Sequence, residues 1–275
     1  MSMGGLLVSK QKSRPWEGVR MTRWVRCEHQ GCVRFGALDG DRITFYEGDL
    51  FGHPTITGET VPLDDVRLLT PTEPGKVVAL WNNFHALAAK LELNPPPEPL
   101  YFLKATTSLI PSREDIRRPA SYDGKVVYEG ELGIVIGQRC SEVSEAQAAE
   151  CIFGYSCIND VTAVELLNKD DSFAQWTRAK GFPTFGVYGP TVTTGLDPAA
   201  LRVKTHLNGQ ERQNYPLSDM VFQPHRLVSM ISRDMTLMPG DVIACGTSVG
   251  VGSMKSDSVV EITIDPIGTL TNRFG

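Results

Sequence analysis

The chain of 275 residues is 41% hydrophobic and 21% charged with 26 Gly and 18 Pro, a globular composition that excludes disorder and collagen-like repeats. Its formal charge of -5 and its pI of about 5.6 argue against nucleic acid or an anionic membrane as a partner, because either is met by a basic patch. One large domain, or a small one followed by a larger one, can bury a substantial core at this length.

Residues 1–20 read as a polar leader. The start, MSMGGLLVSKQKSRPW, has too short a hydrophobic stretch for a secretory signal, and no apolar run approaches the roughly 20 residues of a bilayer span. A cytoplasmic location and no membrane partner are therefore expected. Cys27, Cys32, Cys140, Cys151, Cys157 and Cys245 are scattered in a chain too long to need staples, which favours reduced thiols. Over 23–46 an alternating pattern broken by Gly31, Gly36 and Asp39-Gly40 predicts a small meander of strands. The stretch GHPTITGETVPLDDVRLLTPTEPGK is rich in turn formers and reads as a connector. A domain boundary is expected at about 71–76, dividing a small β-rich domain (21–72) from a larger one (73–275).

Next come a short apolar strand, VVALW, and a helix in NNFHALAAKLEL. Asn82 or Asn83 is its expected N-cap, Phe84, Leu87 and Leu91 lie near helical spacing, and Pro95, Pro96 and Pro97 end it. Strands are expected at 100–103 and 125–136, and a helix at 145–151 with Ser144 and Gln147 in capping-box spacing. The strand IFGYSCIND runs into helical TAVELL, and Asp171 or Ser172 is expected to cap a helix in SFAQWTRAK. LRVKTHLNGQERQ predicts a hairpin about Asn208-Gly209. A helix at 226–233 and a turn at Pro239-Gly240 precede the closing strands. No internal repeat is visible, and the class is α+β with mostly antiparallel strands.

Three segments can carry chemistry. In VVYEGELGIVIG, Glu129 and Glu131 share one face of a strand and repel each other unless a cation lies between them; the alternative is an exposed acidic face. Asp160, at the end of an apolar strand, is either a third carboxylate of that site or a helix N-cap. In AQWTRAKGFPTFG, Lys180 is either an ammonium in a partly desolvated pocket or a solvated lysine at a helix C-terminus. His85 is either a general base or a polar residue of a first helical turn. Gly246-Thr247-Ser248-Val249-Gly250 matches a serine nucleophile elbow, but no helix and no histidine follow, which argues against a serine triad. Its glycines still suit a loop that approaches a ligand closely. Cys27, His29 and Cys32 lack a second pair at zinc spacing and read as structural.

Taken together, PLYFLKATTSLI (99–110), VVYEGELGIVIG (126–137), GYSCINDVTA (154–163), QWTRAKGFPTFGVYGP (175–190), LNGQERQN (207–214), SDMVF (218–222), MTLMPGDVIACGTSVGVG (235–252) and IGTLTNRF (267–274) resemble the fumarylacetoacetate hydrolase family. The resemblance implies a mixed, mostly antiparallel β-roll with a divalent metal at its mouth, preceded by a smaller N-terminal domain and assembled as a homodimer. It puts the metal ligands on Glu129, Glu131 and Asp160, with Mg2+ or Mn2+ first and Ca2+ third. It puts the active-site lysine on Lys180 and substrate contacts on Thr247, Gly246, Lys104 and Tyr128. Substrates of the family are 2-oxo acids and diketo acids, whose enolate the metal stabilises.

The chain also departs from the pattern. A histidine and a glutamate, commonly in N-Y-x-x-H-x-x-E, would fall on Leu87 and Lys90, and His85 lies two places early. An arginine and a glutamine commonly found after the aspartate would fall on Val164 and Leu167, predicting a more apolar pocket. The leading expectation is a hydrolase cleaving a carbon-carbon bond in an acylpyruvate or related diketo acid, with His85 delivering water. The second is an isomerase, decarboxylase or hydratase of a 2-oxo dioate at the same metal, and the third a non-catalytic binding subunit.

Overall fold

The computed structural model describes residues 21–275, so the leader read at 1–20 lies outside the described residues. The chain opens with β1 (Arg23–His29), β2 (Cys32–Asp39), β3 (Arg42–Glu47), β4 (Thr55–Pro62) and β5 (Arg67–Leu68). It continues through β6 (Val77–Trp81), α1 (His85–Lys90), β7 (Leu100–Lys104), β8 (Leu109–Ile110), β9 (Val126–Tyr128), β10 (Gly130–Ile136), α2 (Glu145–Cys151) and β11 (Ile152–Asp160). Then follow β12 (Thr162–Ala163), α3 (Val164–Leu167), α4 (Trp176–Lys180), β13 (Gly186–Thr193), β14 (Arg202–Leu207), β15 (Gln210–Pro216) and α5 (Pro224–Asp234). The last strands are β16 (Val242–Ala244), β17 (Gly252–Ser253), β18 (Ser258–Ile264) and β19 (Gly268–Phe274).

A large sheet runs β4-β3-β2-β1-β13-β11-β10-β16-β6-β7, with β5 and β8 attached at β1 and β13. Among the described strand pairs only β13·β8 and β16·β6 are parallel, giving the expected α+β class with mostly antiparallel strands. A four-stranded sheet, β15-β14-β18-β19, lies across one face of it. Between the two is the main core, with Leu132, Ile134 and Ile136 of β10 meeting Val203, Val260, Ile262 and Leu270, and Leu227, Val228 and Ile231 of α5. Alternation along β10 sends Val135 to the opposite face, where it packs with Ile158, Tyr188, Val192 and Trp24. A third sheet, β12-β9-β17, is small and sits where the large sheet ends.

Four expectations are corrected. The stretch read as a connector contains β4, whose side chains are nearly all exposed. As the edge strand on β3 it needs no apolar alternation, and its backbone pairing suffices. The strand expected at 125–136 is broken at Glu129, because β9 pairs with β12 and β17 while β10 joins the large sheet. Neither Asn82 nor Asn83 caps α1, which starts after Phe84 without a side-chain cap; the Asn83 amide instead donates to the Cys245 carbonyl at 2.8 Å. Likewise α4 starts after Gln175, and Asp170 rather than Asp171 or Ser172 makes the local turn, accepting from Ser172 N at 2.9 Å. The Ser144–Gln147 capping box and the Asn208-Gly209 hairpin form as expected.

Candidate metal centre

The break at Glu129 brings the carboxylates together. Glu129 lies between β9 and β10, Glu131 is the second residue of β10, and Asp160 is the last of β11, the antiparallel neighbour of β10. One oxygen from each lies within 4.8 Å of the others. Glu131 and Asp160 are fully buried and the Glu129 side chain is 15% exposed. Neither alternative reading holds, since Glu129 and Glu131 are not an open acidic face and Asp160 caps no helix.

Two lysines partly balance the charge. Lys180, the last residue of α4 and only 2% exposed, places Nζ 2.7 Å from Asp160 Oδ2 and 3.0 Å from Glu129 Oε1. Lys104, at the end of β7, is ion-paired to Asp160 Oδ1 at 2.7 Å and donates to the Lys180 backbone carbonyl. Burial works against the Lys180 charge, but Asp160, Glu129 and Glu131 outweigh it and hold the group above the ordinary lysine range. Lys104 moves the other way, because burial outweighs its pairing with Asp160 and the nearby Lys180 adds to the loss. Burial raises the Asp160 carboxyl, yet Lys104 and Lys180 together bring it below its usual value. Glu131 is pushed well up, by burial first and then by Asp160 and Glu129.

Glu131 supplies the test of whether a cation fits. Its Oε2 accepts from Gly246 N at 2.9 Å, while its Oε1 is buried and finds no hydrogen-bond donor among the described residues. A buried carboxylate oxygen with no donor is costly unless a cation completes it. The φ of +85° at Gly246 lets the loop after β16 turn that N–H toward the carboxylate.

Thr247 does not face open space. Its hydroxyl donates to Gly130 O at 2.9 Å and accepts from Gln213 Nε2 at 2.8 Å. Tyr128 belongs to the main core, and its hydroxyl donates to Gly250 O at 2.9 Å. His85 is exposed on the first turn of α1 and makes no hydrogen bond or ion pair with the cluster. Leu87 and Lys90 follow it on the same short helix. Thr162 was not anticipated: its Oγ1 accepts from Lys180 Nζ at 2.7 Å and donates to Glu129 Oε1 at 2.7 Å. Its place two residues after Asp160 was the available signal. Beside the lysine stands an aromatic wall, with the Phe102 ring 5.7 Å from Lys180 Nζ and stacked on Trp176, which meets Trp81. Among the described residues no other group of three His, Cys, Asp or Glu side chains is gathered closely enough to hold a metal, and Cys27, His29 and Cys32 form none.

Fold and cluster define a β-roll protein with a buried acidic site of the kind that holds a divalent cation. A family model described as the fumarylacetoacetate hydrolase C-terminal domain matches residues 76–275, and the chain belongs to that family. A second, described as Rv2993c-like, N-terminal, matches 22–71. Protein Rv2993c of Mycobacterium tuberculosis is 45% identical over 250 residues, 87% of this chain and 93% of its own length. The crystal structure of 2-hydroxyhepta-2,4-diene-1,7-dioate isomerase from Mycobacterium marinum is 39% identical with a TM-score of 0.84, covering 92% of this chain and 98% of that one. Maleylpyruvate hydrolase from Sphingobium sp. SYK-6, solved with manganese (II) and pyruvate, is 26% identical with a TM-score of 0.74, covering 92% and 98%. Similar proteins thus include an isomerase and a hydrolase. Among the described residues no helix is long and apolar enough to cross a membrane.

Proposed function

We propose that the chain is a divalent-metal-dependent enzyme that interconverts the keto and enol forms of a small 2-oxo acid, with Glu129, Glu131 and Asp160 as the ligands. The observation that carries this reading is the cluster itself, three carboxylates within 4.8 Å of which one keeps a buried oxygen without a donor. Oxygen ligands suit a hard cation, Mg2+ or Mn2+ before Ca2+. When bound, such a cation would act as a Lewis acid on the 2-oxo group and its neighbouring carboxylate and make the adjacent C–H acidic; the proton lost from carbon would pass to solvent water, and ketonisation would return one from it. Lys180 keeps its proton, and its positive charge, held by Asp160, Glu129 and Thr162, would favour the negative charge that gathers on the substrate oxygen as the enolate forms. Thr162 and Lys104 hold that lysine, one at Nζ and one at its backbone carbonyl. The aromatic wall of Phe102, Trp176 and Trp81 stands beside it, partly exposed.

Keto-enol interconversion needs no residue to activate water, and none of the five histidines bonds to the cluster. Similarity to the dioate isomerase supports this choice. Hydrolysis of a diketo acid is the second reading, favoured by similarity to maleylpyruvate hydrolase and needing His85 as base. The test is ultraviolet decay of the enol form of oxaloacetate with Mn2+, set beside pyruvate release from acylpyruvates. We expect enol decay that His85→Ala leaves unchanged and Glu131→Ala abolishes; pyruvate release lost in His85→Ala would establish hydrolysis instead. The homodimer belongs to the same proposal. As an edge of the large sheet, β7 leaves Leu100 and Leu103 45% and 46% exposed, and a second copy would cover them. Sedimentation velocity should give twice the chain mass, and a monomer would remove this part.

A further inference from the structure

The geometry points to Gln213 as a positioning residue that sets the spacing of the metal ligands from behind, an inference that rests on the metal reading above. Gln213 lies on β15, in the four-stranded sheet, and is 1% exposed. Its side-chain amide is fully engaged. Oε1 accepts from Gly130 N at 3.0 Å and from Thr205 Oγ1 at 2.9 Å. Nε2 donates to Thr247 Oγ1 at 2.8 Å and to the carbonyl of Ser248 at 3.2 Å. One amide therefore ties together two pieces of backbone that belong to different walls of the site. The first is the Gly130 peptide, which separates Glu129 from Glu131. The second is the loop at 246–250, whose Gly246 N–H holds Glu131 Oε2.

The next peptide is held as well, because the Gly130 carbonyl accepts from Thr247 Oγ1 at 2.9 Å and from the Tyr215 hydroxyl. The two peptide planes that meet at Gly130 are thereby both held, the one before it at its N–H and the one after it at its C=O. Because Glu129 and Glu131 leave the backbone on either side of this pair of planes, rotating either one would change the spacing of the two carboxylates. This also explains why a glycine stands between them: a Cβ at 130 would lie 2.2 Å from Thr205 Oγ1 and 3.1 Å from Gln213 Oε1. Glycine at 130 and glutamine at 213 are two halves of one device. Partners behind metal ligands typically change affinity by about 10–100-fold when removed.

The experiment is Mn2+ binding by calorimetry, with enol-oxaloacetate turnover, in wild type, Gln213→Met and Gln213→Glu. Gln213→Met keeps the length and loses every hydrogen bond; Gln213→Glu keeps an acceptor for Gly130 and Thr205 but sets an oxygen against the Ser248 carbonyl. We expect Mn2+ affinity to fall by about 10–100-fold in the methionine variant and by less in the glutamate variant. The Mn2+ electron paramagnetic resonance spectrum should broaden in both, and kcat should fall while KM at saturating metal stays within twofold. A variant that only loosened the fold would melt earlier with Mn2+ affinity and spectrum unchanged at low temperature, and that result overturns the inference. Should Gln213→Met not fold, the glutamate variant decides alone. Wild type that takes up no Mn2+ would overturn the metal reading and this inference together, whereas wild-type binding with unaltered variants overturns this inference only.

Discussion

Glu131 has no solvent and two like charges beside it, so in the metal-free protein it opposes the fold that holds it. Glu131→Gln removes the repulsion and keeps the Gly246 contact. We expect the metal-free variant to be more stable than wild type by about 1–3 kcal/mol in chemical denaturation, while Mn2+ no longer raises its melting temperature. Gly130→Ala should do the reverse and lose about 1–3 kcal/mol, because the new methyl overlaps Thr205 Oγ1. Thr205→Ala in the same chain should restore part of that loss, and a double-mutant cycle would measure it. The three carboxylates could be read in the sequence because charge beside an apolar strand is conspicuous. Lys180 could be read as well, since a lysine followed by Gly181 and Phe182 suggested a pocket. Gln213 could not, because a glutamine in an alternating strand carries no mark of what it faces across another sheet. Lys104, expected to contact substrate, was visible only as a residue in a motif; its ion pair with Asp160 depends on the approach of β7 to β11 and α4.

Elements with local rules were legible to the same degree that those rules are local. The Ser144–Gln147 box is complete within four residues, and α2 begins where the sequence places it. The helix α1 obeys no such rule: the segment before it is anchored by Asn83, which donates to Cys245 O and whose own Oδ1 accepts from Phe222 N at 2.9 Å, and its first turn donates from Ala86 N to Asp219 Oδ2 at 3.0 Å. The Asn83 contacts are 162 and 139 residues away in the chain, beyond any reading of the NNFH segment. Asn83→Ala should therefore destabilise by about 1–3 kcal/mol, against about 1 kcal/mol for Ser144→Ala, in urea melts followed by circular dichroism. The strand break at Glu129 was hidden for a related reason. VVYEGELGIVIG has strong strand formers on both sides of Glu129-Gly130-Glu131, and the separate pairing of β9 and β10 divides it there.

Across the whole molecule, the large sheet carries the N-terminal strands and the carboxylate strands in one hydrogen-bonded ladder, joined where β1 meets β13 at Arg23↔Thr193 and Trp24↔Val192. The join is reinforced by Trp24, whose indole meets Tyr46 edge-on at 5.0 Å and packs with Phe153. The mostly antiparallel class was readable from strand patterns, but this order was not, since β1 and β13 are neighbours only through a crossover. Adding Mn2+ at a hundredfold excess over its dissociation constant should raise stability by about 2.7 kcal/mol, read as a higher melting temperature that a chelator reverses. The seam at Glu129, with β9 in one sheet and β10 in another, has a mechanical meaning. Sliding those sheets past each other would change the gap between two carboxylates, so an ion bound there would tie the two sheets together. The amides of Val126 and Val127, in the small sheet on the other side of that seam from β10, should then exchange their hydrogens more slowly once an ion is in place.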